Sequence, residues 1–219
     1  MTIEKPGRMR SNTKRAKQKR ETRKRILEAA ASLFDEKGFF ETSPTDIAKE
    51  AGVAYGSVYA HFETKGEILT VLHLENQEDK FKRISALKRE GRRPIEQLIY
   101  FIEAIWAEDT GEKALGNLIA FISYIWVHGN TSNGLAPEHV YKRFIDIAFA
   151  LVEEAKRDGD LSPDTDTQKS VEIAVANYLD CIRQAWYEQE KKDKIREKML
   201  EKMIHIFRAD PELLEKYKS

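Results

Sequence analysis

The chain has 219 residues, of which 41% are hydrophobic and 34% charged, with 37 basic and 37 acidic side chains. The length suffices to bury a core, the apolar content excludes a disordered chain, and the charge suits a solvated helical surface. A single cysteine, Cys181, excludes an internal disulfide framework and fits a reducing compartment, with the thiol as a small core group. The basic N-terminus lacks an apolar stretch behind it, so no signal peptide is expected. The longest apolar run, Leu118 to Val127, is too short to span a bilayer.

Zero net charge conceals a division. Residues 1–25 hold eleven Lys or Arg against Glu4 and Glu21, a charge near +9, which the rest of the chain balances with about −9. Such a basic segment suits a polyanion at one end of the molecule. Residues 1–20 are expected to form a mobile basic arm that follows a phosphate backbone or lies in a minor groove. From about Glu21 the spacing of Ile26, Ala29, Ala30, Leu33 and Phe34 predicts a helix with one apolar stripe, stopped by Gly38.

The stretch from Ser43 to Phe62 predicts two short helices around a tight turn. Ser43 is a natural N-cap, Pro44 fits the first helical position, and Asp46 can complete a capping box. Ile47, Ala48 and Ala51 make a small apolar face, and Gly52 suits the left-handed residue that ends a helix. In the second helix Val58 and Phe62 point inward, leaving Tyr55, Gly56, Ser57, Tyr59 and His61 on more exposed arcs. Two helices so joined form a helix-turn-helix, whose second helix can enter the DNA major groove. Thr64 can then cap a long helix from about Lys65, bearing Ile68, Leu69, Leu72, Phe81 and Ile84, with a polar middle from Glu75 to Lys80.

All six prolines fall at element boundaries, and no segment shows the alternation of a strand. Further helices are predicted at about 94–108, 112–128, 137–158, 165–189 and 192–208. The fold class is therefore all-α: an N-terminal three-helix helix-turn-helix domain joined by a long helix to a C-terminal helical bundle. Its expected divisions are the arm at 1–20, the DNA-binding domain at 21–66, and the bundle at 67–219.

Residues Arg23 to Leu69 resemble the DNA-binding domain of the tetracycline-repressor (TetR) family. The matching residues are Ile26 to Phe34, Lys37 to Phe39, Thr42 to Val53, Gly56 to Phe62 and Thr64 to Leu69. Ala54 departs from the Ser or Thr that usually caps the family's recognition helix, and Gly66 stands where Glu is common. The resemblance implies a cytoplasmic transcription regulator, a homodimer on a palindromic double-stranded operator, and a repressor released by a small-molecule effector. It also implies a C-terminal ligand-binding domain and a dimer interface built from the last two long helices. The final helix carries Met199, Leu200, Met203, Ile204 and Phe207 on one side; dimerisation through such a face is favoured, with packing inside its own subunit as the alternative.

Tyr55, Gly56 and Ser57 are the candidates for base contact, since the glycine lets the backbone approach and both hydroxyls can donate or accept. Thr42, Ser43, Tyr59, His61 and Lys65 are candidate DNA-binding residues at or near the phosphates, which position the helix without reading sequence. For a ligand pocket the candidates are Trp106, Phe121, Tyr124, His128, Phe144, Asn177 and Tyr178, an apolar and aromatic set suited to an acyl chain or a planar aromatic compound. No enzyme is expected. The five histidines lack paired metal-ligand spacing, no nucleophile elbow or phosphate loop is present, and neither metal nor cofactor is called for. Two other readings stay open: an architectural DNA binder without an effector, and a regulator gated by a protein partner.

Overall fold

The computed structural model describes residues 7–86, 91–128 and 137–210. Among the described residues every regular element is helical. These are α1 (Gly7–Lys37), α2 (Pro44–Glu50), α3 (Tyr55–Tyr59), α4 (Lys65–Ser85), α5 (Pro94–Asp109), α6 (Ala114–His128), α7 (Pro137–Arg157), α8 (Thr167–Tyr187) and α9 (Lys192–Phe207). A short 3-10 turn, Gln189–Lys191, precedes α9. The all-α expectation agrees with this architecture, and the helix limits after α3 fall within a few residues of those expected.

The chain divides into two compact units between His73 and Leu74, seven residues beyond the expected boundary. The first unit packs α1, α2, α3 and the start of α4 around Ile26, Ala30, Phe34, Ile47, Val58, Phe62 and Ile68, all buried. The Phe39 ring folds back onto Phe34 at 5.4 Å. At Gly52, φ is +61°, a left-handed turn that a side chain would strain, and this corner sets the angle between α2 and α3.

The N-terminal arm is a correction. Residues 1–6 lie outside the described region, but residues 7–20 belong to α1 instead of a separate mobile segment. After Gly7 no proline interrupts the chain before Pro44, and Lys, Arg, Gln and Glu are good helix formers. Pairs at i,i+4 such as Lys17–Glu21 and Lys24–Glu28 add support along the exposed side. The helix thus outruns its own apolar stripe, which is why hydrophobic periodicity alone began it too late.

At the start of α2 the capping box forms as the spacing predicted. The Ser43 hydroxyl accepts from the Asp46 amide at 3.1 Å, and the Ser43 amide donates to the Asp46 carboxylate at 2.9 Å. Lys37, at the end of α1, donates to the same carboxylate oxygen at 2.9 Å. One carboxylate thereby holds α2 against α1.

The second unit packs α5 to α9 with the C-terminal half of α4. Arg83 of α4 grips Glu108 of α5 through two parallel hydrogen bonds of 3.2 and 2.8 Å, and Arg196 of α9 meets Glu103 of α5 at 3.0 Å. Met199, Leu200, Met203, Ile204 and Phe207 are all buried within the subunit. Of the two placements open for that apolar face, the intramolecular one is therefore realised.

Removing the cap, Ser43→Ala, is expected to lower stability by about 1 kcal/mol in denaturant unfolding. The Lys37 and Ser43 hydrogen bonds hold the Asp46 carboxyl below the usual carboxylate range. Its contribution is present above the unfolded value near 4 and is lost as pH falls below it. The stability gap between wild type and Asp46→Ala should therefore be full at neutral pH and shrink in acid.

Candidate functional site

The short helix α3 presents its polar groups outward. Tyr55 and Tyr59, one turn apart, are 53% and 44% exposed. Their rings lie 5.1 Å apart and their hydroxyls 3.2 Å apart, so the two side chains form one unit. Ser57 is half-buried between them in sequence. No side-chain hydrogen bond caps the helix at Ala54, as the absence of a hydroxyl there requires.

Gly56 has no internal reason to be glycine. Its φ is ordinary, and a Cβ built on it meets no heavy atom of the chain within 4 Å. Glycine inside a helix costs about 0.5–1 kcal/mol relative to alanine. A bare backbone beside exposed Tyr55 makes sense if something outside the chain approaches it closely.

The flanking candidates divide into two kinds. Thr42 is 1% exposed, and its hydroxyl donates to the Gly38 carbonyl at 2.8 Å, so it fastens the turn after α1. Ser43 serves as the cap described above. The Lys65 ammonium donates to the carbonyls of Phe39 and Thr42, both at 2.7 Å, and lies 4.0 Å from the centre of the Phe39 ring. Burial lowers its pKa, and two of its three donors are committed to the turn ahead of α2.

His61 is half-buried, and its Nδ1 has no hydrogen-bond partner among the described residues. Burial, then the charges of Lys19 and Arg23, lower its pKa. Arg23 also stacks over the Phe62 ring at 4.8 Å. The basic stretch of α1 therefore reaches the end of α3, a proximity that the sequence pattern did not reveal. Exposed Lys14, Arg15, Lys17, Lys19, Arg20, Lys24 and Arg25 extend the positive surface along α1.

A second site lies inside the helical bundle, where a cavity of about 320 Å³ opens among α4 to α9. Phe121, Phe144 and Tyr178 line it together with apolar residues including Leu98, Ile102, Leu118, Ile122, Val171 and Phe207. Four other pocket candidates do not line it. Trp106 is buried behind Tyr178, edge to face at 6.2 Å, Tyr124 stacks on His128 at 4.5 Å, and the Asn177 carbonyl accepts from Cys181 at 3.9 Å. Residue type selected these four; the helical phase of their side chains placed them elsewhere.

The cavity's polar groups come largely from residues that pattern reading passed over. Lys80 of α4, 7% exposed, pairs with Asp109 of α5. The other oxygen of Asp109 accepts from the Tyr178 hydroxyl at 2.7 Å. Burial, reinforced by Asp109, raises the pKa of both Tyr178 and Tyr141, so both phenols stay protonated. Gln77 completes the polar part of the wall. A signal existed: Gln77, Lys80, Phe81 and Ile84 are spaced i, i+3, i+4, i+7, which places the two polar residues on the buried stripe.

Among the described residues no group of three His, Cys, Asp or Glu is placed to hold a metal ion, and no helix is long and apolar enough to cross a membrane.

Residues 26–72, spanning most of α1 through the first turns of α4, match the family model for bacterial regulatory proteins of the tetR family. That stretch of the chain is similar to the family's DNA-binding region. Relatives of the chain include the transcriptional regulator UidR of Escherichia coli K12, 26% identical over 148 residues that cover 67% of this chain and 72% of UidR. Among solved structures, a transcriptional regulator from Saccharomonospora viridis in complex with choline aligns with a TM-score of 0.64 at 21% identity, covering 84% of this chain and 96% of that one. The regulator FadR of Bacillus subtilis in complex with stearoyl-CoA aligns at 0.56 and 19% identity, covering 80% and 96%. These structural likenesses extend the shared fold beyond the matched residues into the bundle.

The bare backbone at Gly56 gives a direct check on which helix meets DNA. Gly56→Ala should raise thermal stability slightly, by about 0.5–1 kcal/mol. If Gly56 lies against a base edge, as proposed below, the same change should weaken operator binding about tenfold or more in a titration, because the added methyl has room only within the protein.

Proposed function

We propose that this protein is a homodimeric repressor of the tetR family that leaves a palindromic operator when a small, predominantly apolar molecule fills the bundle cavity. The observation that carries the reading is the continuity of α4. At its first turn Lys65 holds the carbonyls that precede α2, and further along the same helix Gln77 and Lys80 stand in the cavity wall. A ligand that prefers one position of α4 shifts the population of DNA-competent molecules by its differential affinity, typically about 5- to 150-fold.

Tyr55, Gly56 and Ser57 are the proposed base-reading residues, with Tyr59, His61 and the basic side of α1 on phosphates. The cavity's apolar wall favours an apolar or amphipathic effector. Stearoyl-CoA, bound by the B. subtilis neighbour, is one such amphipathic compound, whereas choline in the S. viridis neighbour is a small cation. For dimerisation, α8 leaves Ile173, Val175 and Tyr187 exposed, and α6 leaves Trp126 and Val127 exposed, apolar surface suited to a second subunit. Acting on DNA without a cofactor, the protein works in the cytoplasm.

Selection from random duplex DNA at near-physiological salt tests the reading. Enrichment of an inverted repeat is expected; a bound pool that stays random would hand the basic α1 an architectural role instead, with counterion release dominating. With the operator in hand, Ala148→Trp is expected to fill the cavity, keep operator affinity within about threefold, and abolish release by compounds that act on the wild type. Anisotropy titrations measure both.

Binding should also take up protons at His61. Its pKa is depressed in the free protein, and a phosphate beside it would raise it. Operator affinity should then increase as pH falls through the neutral range and level off below the pKa of the free protein, with the slope reduced in His61→Gln.

A further inference from the structure

Resting on the reading of the cavity as the effector site, we propose that it selects uncharged molecules bearing an oxygen acceptor, such as an ester, ketone or alcohol, and rejects their carboxylate and ammonium counterparts. Among the described residues, the charged groups in its wall are Lys80 and Asp109, and they neutralise one another.

The charge balance sets the preference. A carboxylate arriving at Lys80 would bring its charge beside Asp109, in surroundings where the apolar wall screens repulsion poorly. A cation seeking Asp109 would meet Lys80 in the same way. Either would have to break the Lys80–Asp109 pair and leave one buried charge uncompensated, the costly way to disrupt such a pair. A neutral ligand leaves the pair intact.

The donor inventory says which neutral group fits. An ammonium has three donors; Asp109 takes one, and Lys80 otherwise lies 5.9 Å from the centre of the Phe144 ring. Donors therefore remain on a nitrogen that borders the cavity. Asp109 is engaged from both sides, by Lys80 and by the Tyr178 hydroxyl. An oxygen acceptor meets the unfilled need at Lys80, with the hydrocarbon part of the ligand against Phe121, Ile122 and Leu98. The volume, near the lower end of the roughly 300–1,000 Å³ common for small-molecule sites, suits a compact compound.

Methyl octanoate, octanoate and octyltrimethylammonium share a chain and differ in head charge, so calorimetric titration of the full-length protein at neutral pH reads the selection. The ester should bind about tenfold more tightly than either ion, a gap of about 1.4 kcal/mol. Asp109→Asn removes the counter-charge and should reverse the order of ester and octanoate. Replacing both residues, Lys80→Met with Asp109→Asn, leaves no charge and should show no gain for octanoate. Should Asp109→Asn fail to fold, the wild-type ranking and the double variant decide. Octanoate or the ammonium compound binding wild type as tightly as the ester would overturn the selection, as would no binding by any of the three. Operator affinity in the same samples separates the two readings. Ester binding without operator release would sink the effector reading alone, whereas release by a charged compound would sink the selection alone.

Discussion

A lysine that ends in an apolar cavity must be matched there, and Lys80 is matched by Asp109. Much of the bundle follows from that requirement. The pair joins α4 to α5, the free oxygen of Asp109 takes the Tyr178 hydroxyl and so brings in α8, and Tyr178 supports Trp106 edge to face. Arg83 and Glu108, one step along the same two helices, repeat the connection at the surface. The exposed pair contributes little by itself. The buried one is of another kind, because losing either partner strands a charge.

The opposite end of α4 is held in a comparable way. Lys65 reaches back to two carbonyls before α2 instead of pointing to solvent. Lys65 and Lys80 belong to the same helix, α4. No proline or glycine lies between Gly66 and Ser85 to absorb a bend.

The sequence revealed most where local chemistry decides the outcome. The Ser43, Pro44 and Asp46 spacing specifies one capping box, and Gly52 specifies one corner, because few other residues satisfy those backbone demands. Residue type alone says less where placement depends on tertiary direction. Thr42 and Lys65 have the composition of phosphate contacts, yet the first is fastened to Gly38 and the second to Phe39 and Thr42. Among the aromatics, Phe121, Phe144 and Tyr178 reach the cavity while Trp106 and Tyr124 do not, a distinction of helical phase within a bundle whose packing angles no periodicity encodes. Lys80 was hidden for the opposite reason: a charged residue in a polar stretch suggests solvent, although its spacing from Phe81 and Ile84 put it on the buried side.

The apolar face of α9 shows how the same pattern can serve two ends. Its five large side chains could meet a second subunit or their own bundle, and burial within the subunit settles which. Apolar side chains stay exposed on the outer side of α8 and at the end of α6. Two residues there have a double position: Val175 and Trp126 are exposed, and both also border the cavity. In the proposed dimer, a ligand that shifts these side chains alters the surface on which the subunits meet. The spacing of two recognition helices would then respond to the effector through the interface. That route does not need the DNA-binding unit itself to deform, since the bonds at Asp46, Thr42 and Lys65 are closed within it.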